Sequence, residues 1–139
     1  MSQAKAIPER SQIAPEFTWN TADLYPNDQA WQEDFSRLQA MVPKLAACAG
    51  RLGESADALY AYVTLEQEAG ELLVKLMDYA QRRSDEDTRV PEYQAMVGKI
   101  TSQYVALSQA VSFEIPEVLR IPTETLERFY GEKPELELY

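Results

Sequence analysis

Apolar residues recur at steps of three and four along most of this chain. The first such series is Trp31, Phe35, Leu38, Val42, Leu45 and Ala49, which places all six on one face of a helix. Asn27 just ahead of it is a competent N-cap, and Asp28, Glu33 and Asp34 put negative charge toward the positive helix start. Pro43 removes one backbone donor, yet the apolar phase passes through it without a slip. The pattern predicts a kinked helix ending near Gly50, with two shorter helices as the alternative.

Ser55 is positioned to cap a second helix. Tyr62, Leu65, Ala69, Leu72, Leu76 and Tyr79 form one stripe, and Leu59, Val63, Gly70, Leu73, Met77 and Ala80 form another beside it. At 100° per residue the two cover an arc of roughly 220°, far wider than a surface helix needs. Thr64, Gln67, Glu68, Glu71, Lys75, Asp78 and Arg82 hold the polar remainder. Such a helix, about 40 Å long, needs neighbours on more than one side.

A third series, Tyr93, Val97, Ile100, Tyr104, Leu107 and Val111, is widened by Met96. Pro91 fits the first turn of that helix, where a missing N–H costs little. Beyond it, Pro116, Pro122 and Pro134 punctuate short helical pieces. The whole reads as all-α, a long antiparallel helical hairpin in a small bundle. Three regions are expected: an extended N-terminal arm over 1–26, a three-helix lobe over 27–121, and over 122–139 the short helical start of a following region. Phe17 and Trp19 are the aromatic anchors of the arm.

Composition narrows the chemistry. The chain has 139 residues and a net charge of −10, which argues against nucleic acid and anionic membrane surfaces as partners. No stretch approaches the roughly 20 apolar residues of a membrane span, and the N-terminus lacks a signal-peptide core. Cys48 is the single cysteine, so no intrachain disulfide is possible and a reducing, cytoplasmic setting is expected. Cys48 also has no neighbouring Lys, His or second Cys to activate it.

Histidine is absent. That excludes a His-Glu-x-x-His zinc motif, His-assisted serine or cysteine catalysis, and imidazole metal sites. No glycine-rich phosphate loop occurs either, since "CAGRLGES" lacks the spacing and the lysine. The sequence therefore offers no catalytic and no metal-ligating residue, and it assigns no binding residue.

The stretch "YAQRRSDEDTR", Tyr79 to Arg89, concentrates three carboxylates and three arginines. It lacks the central glycine and closing glutamate of a calcium loop, so a carboxylate metal site around Asp85 and Asp87 is the weakest reading. An anion site would need the arginines unpaired, yet carboxylates sit beside them. As helix-end chemistry every part fits: Arg82 and Arg83 close one helix, while Ser84, Asp85 and Asp87 can cap the next. Glu66 falls inside the apolar arc, where it either lines a cleft or finds water or a cationic partner. Tyr62, Tyr79, Tyr93 and Tyr104 could line a groove, but read as core rings whose hydroxyls reach the edge.

The order of "WNTADLYPNDQAWQEDF", "GRLGES", "YAQRRSDEDT", "SFEIPEVLRIP" and "ELELY" resembles the N-terminal region of oligoendopeptidase F, from about Ile7 to Tyr139. The resemblance implies a helical lobe of a cytoplasmic zinc metallopeptidase that cuts short peptides in an enclosed channel. In that family zinc is held by His-Glu-x-x-His and a further glutamate beyond the matched region, so no metal or catalytic residue carries over. Zinc would belong to the parent enzyme and peptides would be its substrates. The implied partner is the remaining catalytic domain, or a second copy through the apolar face of helix two. A free-standing helical interaction module is the competing reading.

Overall fold

The wide apolar arc of the second helix finds two neighbours within the chain. A computed structural model describes residues 7–139. Its helices are α1 (Asp28–Ala46), α2 (Ala56–Glu86), α3 (Pro91–Ala110), α4 (Glu114–Val118) and α5 (Thr123–Glu132). Short 3-10 turns lie at Arg10–Gln12, Pro15–Phe17, Thr21–Asp23 and Pro134–Leu138, and no strand occurs among the described residues. The first three helices pack side by side with alternating direction, so the protein is all-α as expected. The arm is not fully extended: three of those turns interrupt it before Tyr25.

Local signals set the helix starts. Asn27 accepts the Ala30 N–H through its side chain at 2.9 Å, and Ser55 accepts the Ala58 N–H at 3.1 Å. Each cap of this kind is worth ~1 kcal/mol. Trp31 then reaches across α1 to α2, where its indole N–H donates to the Leu76 carbonyl at 2.9 Å. That contact joins the start of α1 to the late part of α2 and fixes their antiparallel register. Phe35 stacks on Trp31 with ring centroids 5.1 Å apart.

Most of both stripes of α2 turns inward. Leu59, Tyr62, Ala69, Leu72, Leu73, Leu76, Tyr79 and Ala80 are buried, because α1 covers one flank and α3 the other. Met77 and Val74 stay exposed, at 38% and 58%. Residues 122–139 contribute to the same core, with Phe129 and Leu136 buried.

Several boundaries differ from the sequence pattern. α1 runs through Pro43 as one helix and ends at Ala46, short of Gly50. Gly50 has φ +81°, a left-handed conformation that ends helical continuation and suits glycine. Met41 is buried in α1, while Ala49 is exposed. α2 continues to Glu86, so Ser84 and Asp85 lie inside it and do not cap α3. The residue ahead of α3 is Val90, with no side-chain cap, because Pro91 already removes one of the orphan donors. On α3 the buried set is Met96, Ile100, Gln103 and Leu107. Met96, Ile100 and Leu107 are as expected, but the inward position between Ile100 and Leu107 is held by Gln103, 9% exposed, and Tyr104 is 51% exposed.

Leu76 is fully buried at the crossing of the helices. Leu76→Ala is expected to destabilise the fold by about 2–5 kcal/mol. The check is the midpoint of urea unfolding followed by far-UV circular dichroism.

Candidate functional site

Two clusters of polar side chains sit at opposite ends of the bundle. The first gathers the α2–α3 turn, the N-terminal arm and the start of α1. Glu86 is shared by two guanidinium groups: Arg83 donates to it at 2.7 Å and Arg10 at 3.3 Å. Arg83 also donates to the Tyr93 hydroxyl and lies over its ring, 4.4 Å from the centroid. Its buried Nε has no hydrogen-bond partner, although Asp28 Oδ1 is 4.0 Å away. Arg82 pairs with Asp85 at 3.5 Å and stands 5.4 Å from the Trp19 ring centroid.

Asp87 closes the turn. Its Oδ1 accepts the Arg89 backbone N–H at 3.0 Å, and its carboxylate also receives the Arg89 side chain. Arg89 reaches on to Glu9 of the arm. These Arg89 contacts hold the Asp87 carboxyl at about 2 and lower that of Glu9 as well. Every arginine of the stretch is thus paired with a carboxylate, Arg83 with its Nε left over, and Asp85 and Asp87 are turned to arginine. The stretch is a helix end with an ion-pair network.

Tyrosines mark both ends. Tyr79 donates to Asp28 at 2.7 Å, Tyr25 to Asp34 at 2.9 Å and Tyr62 to Glu114 at 2.9 Å. Burial, reinforced by the carboxylate each one faces, raises all three hydroxyls above their ordinary range. They act as fixed donors. Tyr62 and Tyr79 are core rings with polar tips, Tyr93 is half-buried, and Tyr104 points to solvent.

The second cluster lies where α4 meets α2. Glu66 is half-buried, and among the described residues no Lys or Arg lies within 4.0 Å of it. Burial, with the nearby Glu114 charge adding to it, raises its carboxyl above the usual range. Glu117 clasps the α1–α2 loop by accepting the Gly50 and Leu52 N–H groups, both at 2.7 Å. Periodicity gave no signal for that clasp, because it depends on a partner 65 residues away. Among the described residues no set of three or more Cys, Asp or Glu is arranged to hold a metal ion. The groups present do not fit zinc: the chain has no imidazole, and Asp85 and Asp87 are held by arginines.

An all-α lobe with capped ends and self-satisfied charge is the class that this geometry defines. No protein-family model matches the chain. Oligopeptidase PepF from Bacillus subtilis is 36% identical over 137 residues, which cover 99% of this chain and 20% of that protein. Group B oligopeptidase PepB from Streptococcus agalactiae is 28% identical, over 94% of this chain and 22% of that protein. The crystal structure of oligoendopeptidase-F from Enterococcus faecium matches with a TM-score of 0.71 at 25% identity, over 81% of this chain and 22% of that one. The chain is thus similar, over nearly its whole length, to one part of these oligoendopeptidase F-type peptidases. It spans about a fifth of the length of those relatives. No helix among the described residues is long and apolar enough to cross a membrane.

Two predictions follow from the charges. Glu66 binds its proton more tightly in the folded chain than in the unfolded one, so its burial lowers stability as pH rises above the unfolded value, about 4.3. Glu66→Gln should therefore raise the melting temperature at pH 7, and the gain should vanish below about pH 4. The Arg89 contacts have the opposite sign: they are intact above about pH 4 and fade as pH falls toward 2. Arg89→Ala should leave the helical content unchanged but speed proteolysis within residues 7–20, with a smaller effect at high salt.

Proposed function

We propose that this chain is the N-terminal helical lobe of an oligoendopeptidase F-like zinc metalloendopeptidase that hydrolyses short peptides. The lobe supplies structure and substrate confinement, and the chemistry resides in a catalytic domain held elsewhere in the enzyme. The observation that carries this reading is likeness over 99% of the chain to only 20% of an oligopeptidase. A chain without histidine supports the same division of labour. Zinc belongs to the catalytic domain, which is the lobe's partner, and the enzyme works in the cytoplasm.

Confinement is a task that a rigid helical wall can perform without reactive groups. α2 has 31 residues and spans about 46 Å, and its core-facing side chains are locked by α1 and α3. Such a wall limits access by shape, so the length of the peptide is what it selects.

A second reading, a free-standing interaction module, draws on the outward-facing Phe17, Trp19, Val74 and Leu119, each more than half exposed. One experiment separates the two. A chimera carries residues 1–139 in place of the matching fifth of the Bacillus subtilis oligopeptidase. It is expected to cleave a short fluorogenic peptide and leave unfolded casein intact, while the 139-residue chain alone cleaves neither, with or without added zinc. A folded but inactive chimera would sink the peptidase-lobe reading, and cleavage of casein would sink confinement.

A further inference from the structure

One shallow depression, of about 600 Å3, lies on the outer side of α2 beside the arm. Its apolar floor is Leu24, Gly70 and Val74, and its rim carries Glu71, Lys75 and Asp78. Val74 is 58% exposed although it stands in the middle of the longest helix.

Gly70 makes the depression informative. Glycine inside a helix costs stability relative to alanine, so its presence asks for a close approach. A Cβ at Gly70 would meet no atom within 4 Å, hence nothing within the described chain uses the space. Gly98 and Gly131 also open onto empty space, but they are fully on the exposed surface, whereas Gly70 is half-buried in an apolar floor.

The rim has a sign. The Lys75 ammonium is drawn over the Tyr25 ring, 4.2 Å from its centroid. Glu71 accepts from Gln67 at 3.0 Å, and neither it nor Asp78 has a described Lys or Arg within 4.0 Å. This contrasts with the carboxylates of the α2–α3 turn, which are all paired. An apolar floor flanked by two unpaired carboxylates complements an apolar side chain with a basic neighbour.

We propose that this groove seats a segment of the polypeptide corresponding to the remaining four-fifths of the relatives. That segment places an apolar side chain over Gly70, against Val74 and Leu24, and a Lys or Arg against Glu71 or Asp78. The proposal rests on the peptidase-lobe reading and names the surface by which the lobe is fixed. The relatives' length supplies the occupant: about four-fifths of each lies outside the matched region, and a lobe that limits substrate size must be held rigidly to it.

The test uses Val74→Cys in the 139-residue chain and in the chimera, with maleimide labelling read at that peptide by mass spectrometry. In the isolated chain the thiol should label at close to its rate in urea. In the chimera it should label at least tenfold more slowly. Equal labelling in a chimera that cleaves peptides would overturn the docking groove and leave the peptidase reading standing. Fast labelling in a folded, inactive chimera would overturn both. If the isolated chain is itself protected, and loses that protection on dilution as its sedimentation falls from dimer to monomer, a second copy is the occupant and the proposal fails.

Discussion

The length of α2 is the constraint that the rest of the molecule answers. It has 31 residues against 19 in α1 and 20 in α3, so it is longer than its neighbours by roughly 17 Å. The overhang must be covered, and the two ends are covered by different physics. At the start of α2, Phe129 and Leu136 are buried in the shared core. Lys133 adds a 2.7 Å pair to Asp57 and stands over the Tyr60 ring. At the far end Tyr25 is buried against Tyr79, while residues 9–19 of the arm are held chiefly by Arg89–Glu9, Arg10–Glu86 and the Arg82–Trp19 contact. Exposed ion pairs contribute about 0–1 kcal/mol each, whereas a buried Phe or Leu contributes about 1.5–3. Residues 9–19 of the N-terminal arm are therefore the looser cover.

Between the ends, one hydrogen bond fixes the register. The Trp31 indole is buried and would lose stability if its N–H found no acceptor. The Leu76 carbonyl has a second lone pair beyond its helical bond, so it can accept without breaking α2. A slip of α1 by one residue would leave the indole N–H unpaired and turn Phe35 away from the core. Pro43 is tolerated under the same constraint: it lies in the last turn of α1, well past the register-setting contacts, and its missing donor does not interrupt the stripe.

The helices, their order and most of the core were legible in the sequence because apolar periodicity reports directly on burial. The N-caps Asn27 and Ser55 were legible for the same reason: their chemistry is local. What periodicity missed depends on partners far along the chain. Glu117 folding over the Gly50 loop involves a separation of 67 residues, and Glu9 meeting Arg89 involves 80. Ser84 looked like a cap because hydroxyls favour helix starts, but it is a buried acceptor for the Gln94 side chain at 2.8 Å. On α3 a polar residue, Gln103, took the inward position that hydrophobicity assigned to Tyr104.

The distribution of charge separates what holds this lobe from what it presents. At the α2–α3 turn, arginines and carboxylates cancel one another, and that end of the rod does not demand a charged partner. Near the middle of α2 the carboxylates of Glu71 and Asp78 have no Lys or Arg partner among the described residues, beside an apolar floor that those residues leave uncovered. Glycine within a helix costs about 1 kcal/mol relative to alanine. The end is closed by its own ion pairs, and the middle of α2 leaves an apolar floor open to solvent. A helix locked on two flanks by α1 and α3 is stiff along its length, and the side that carries Val74 is the one they leave uncovered.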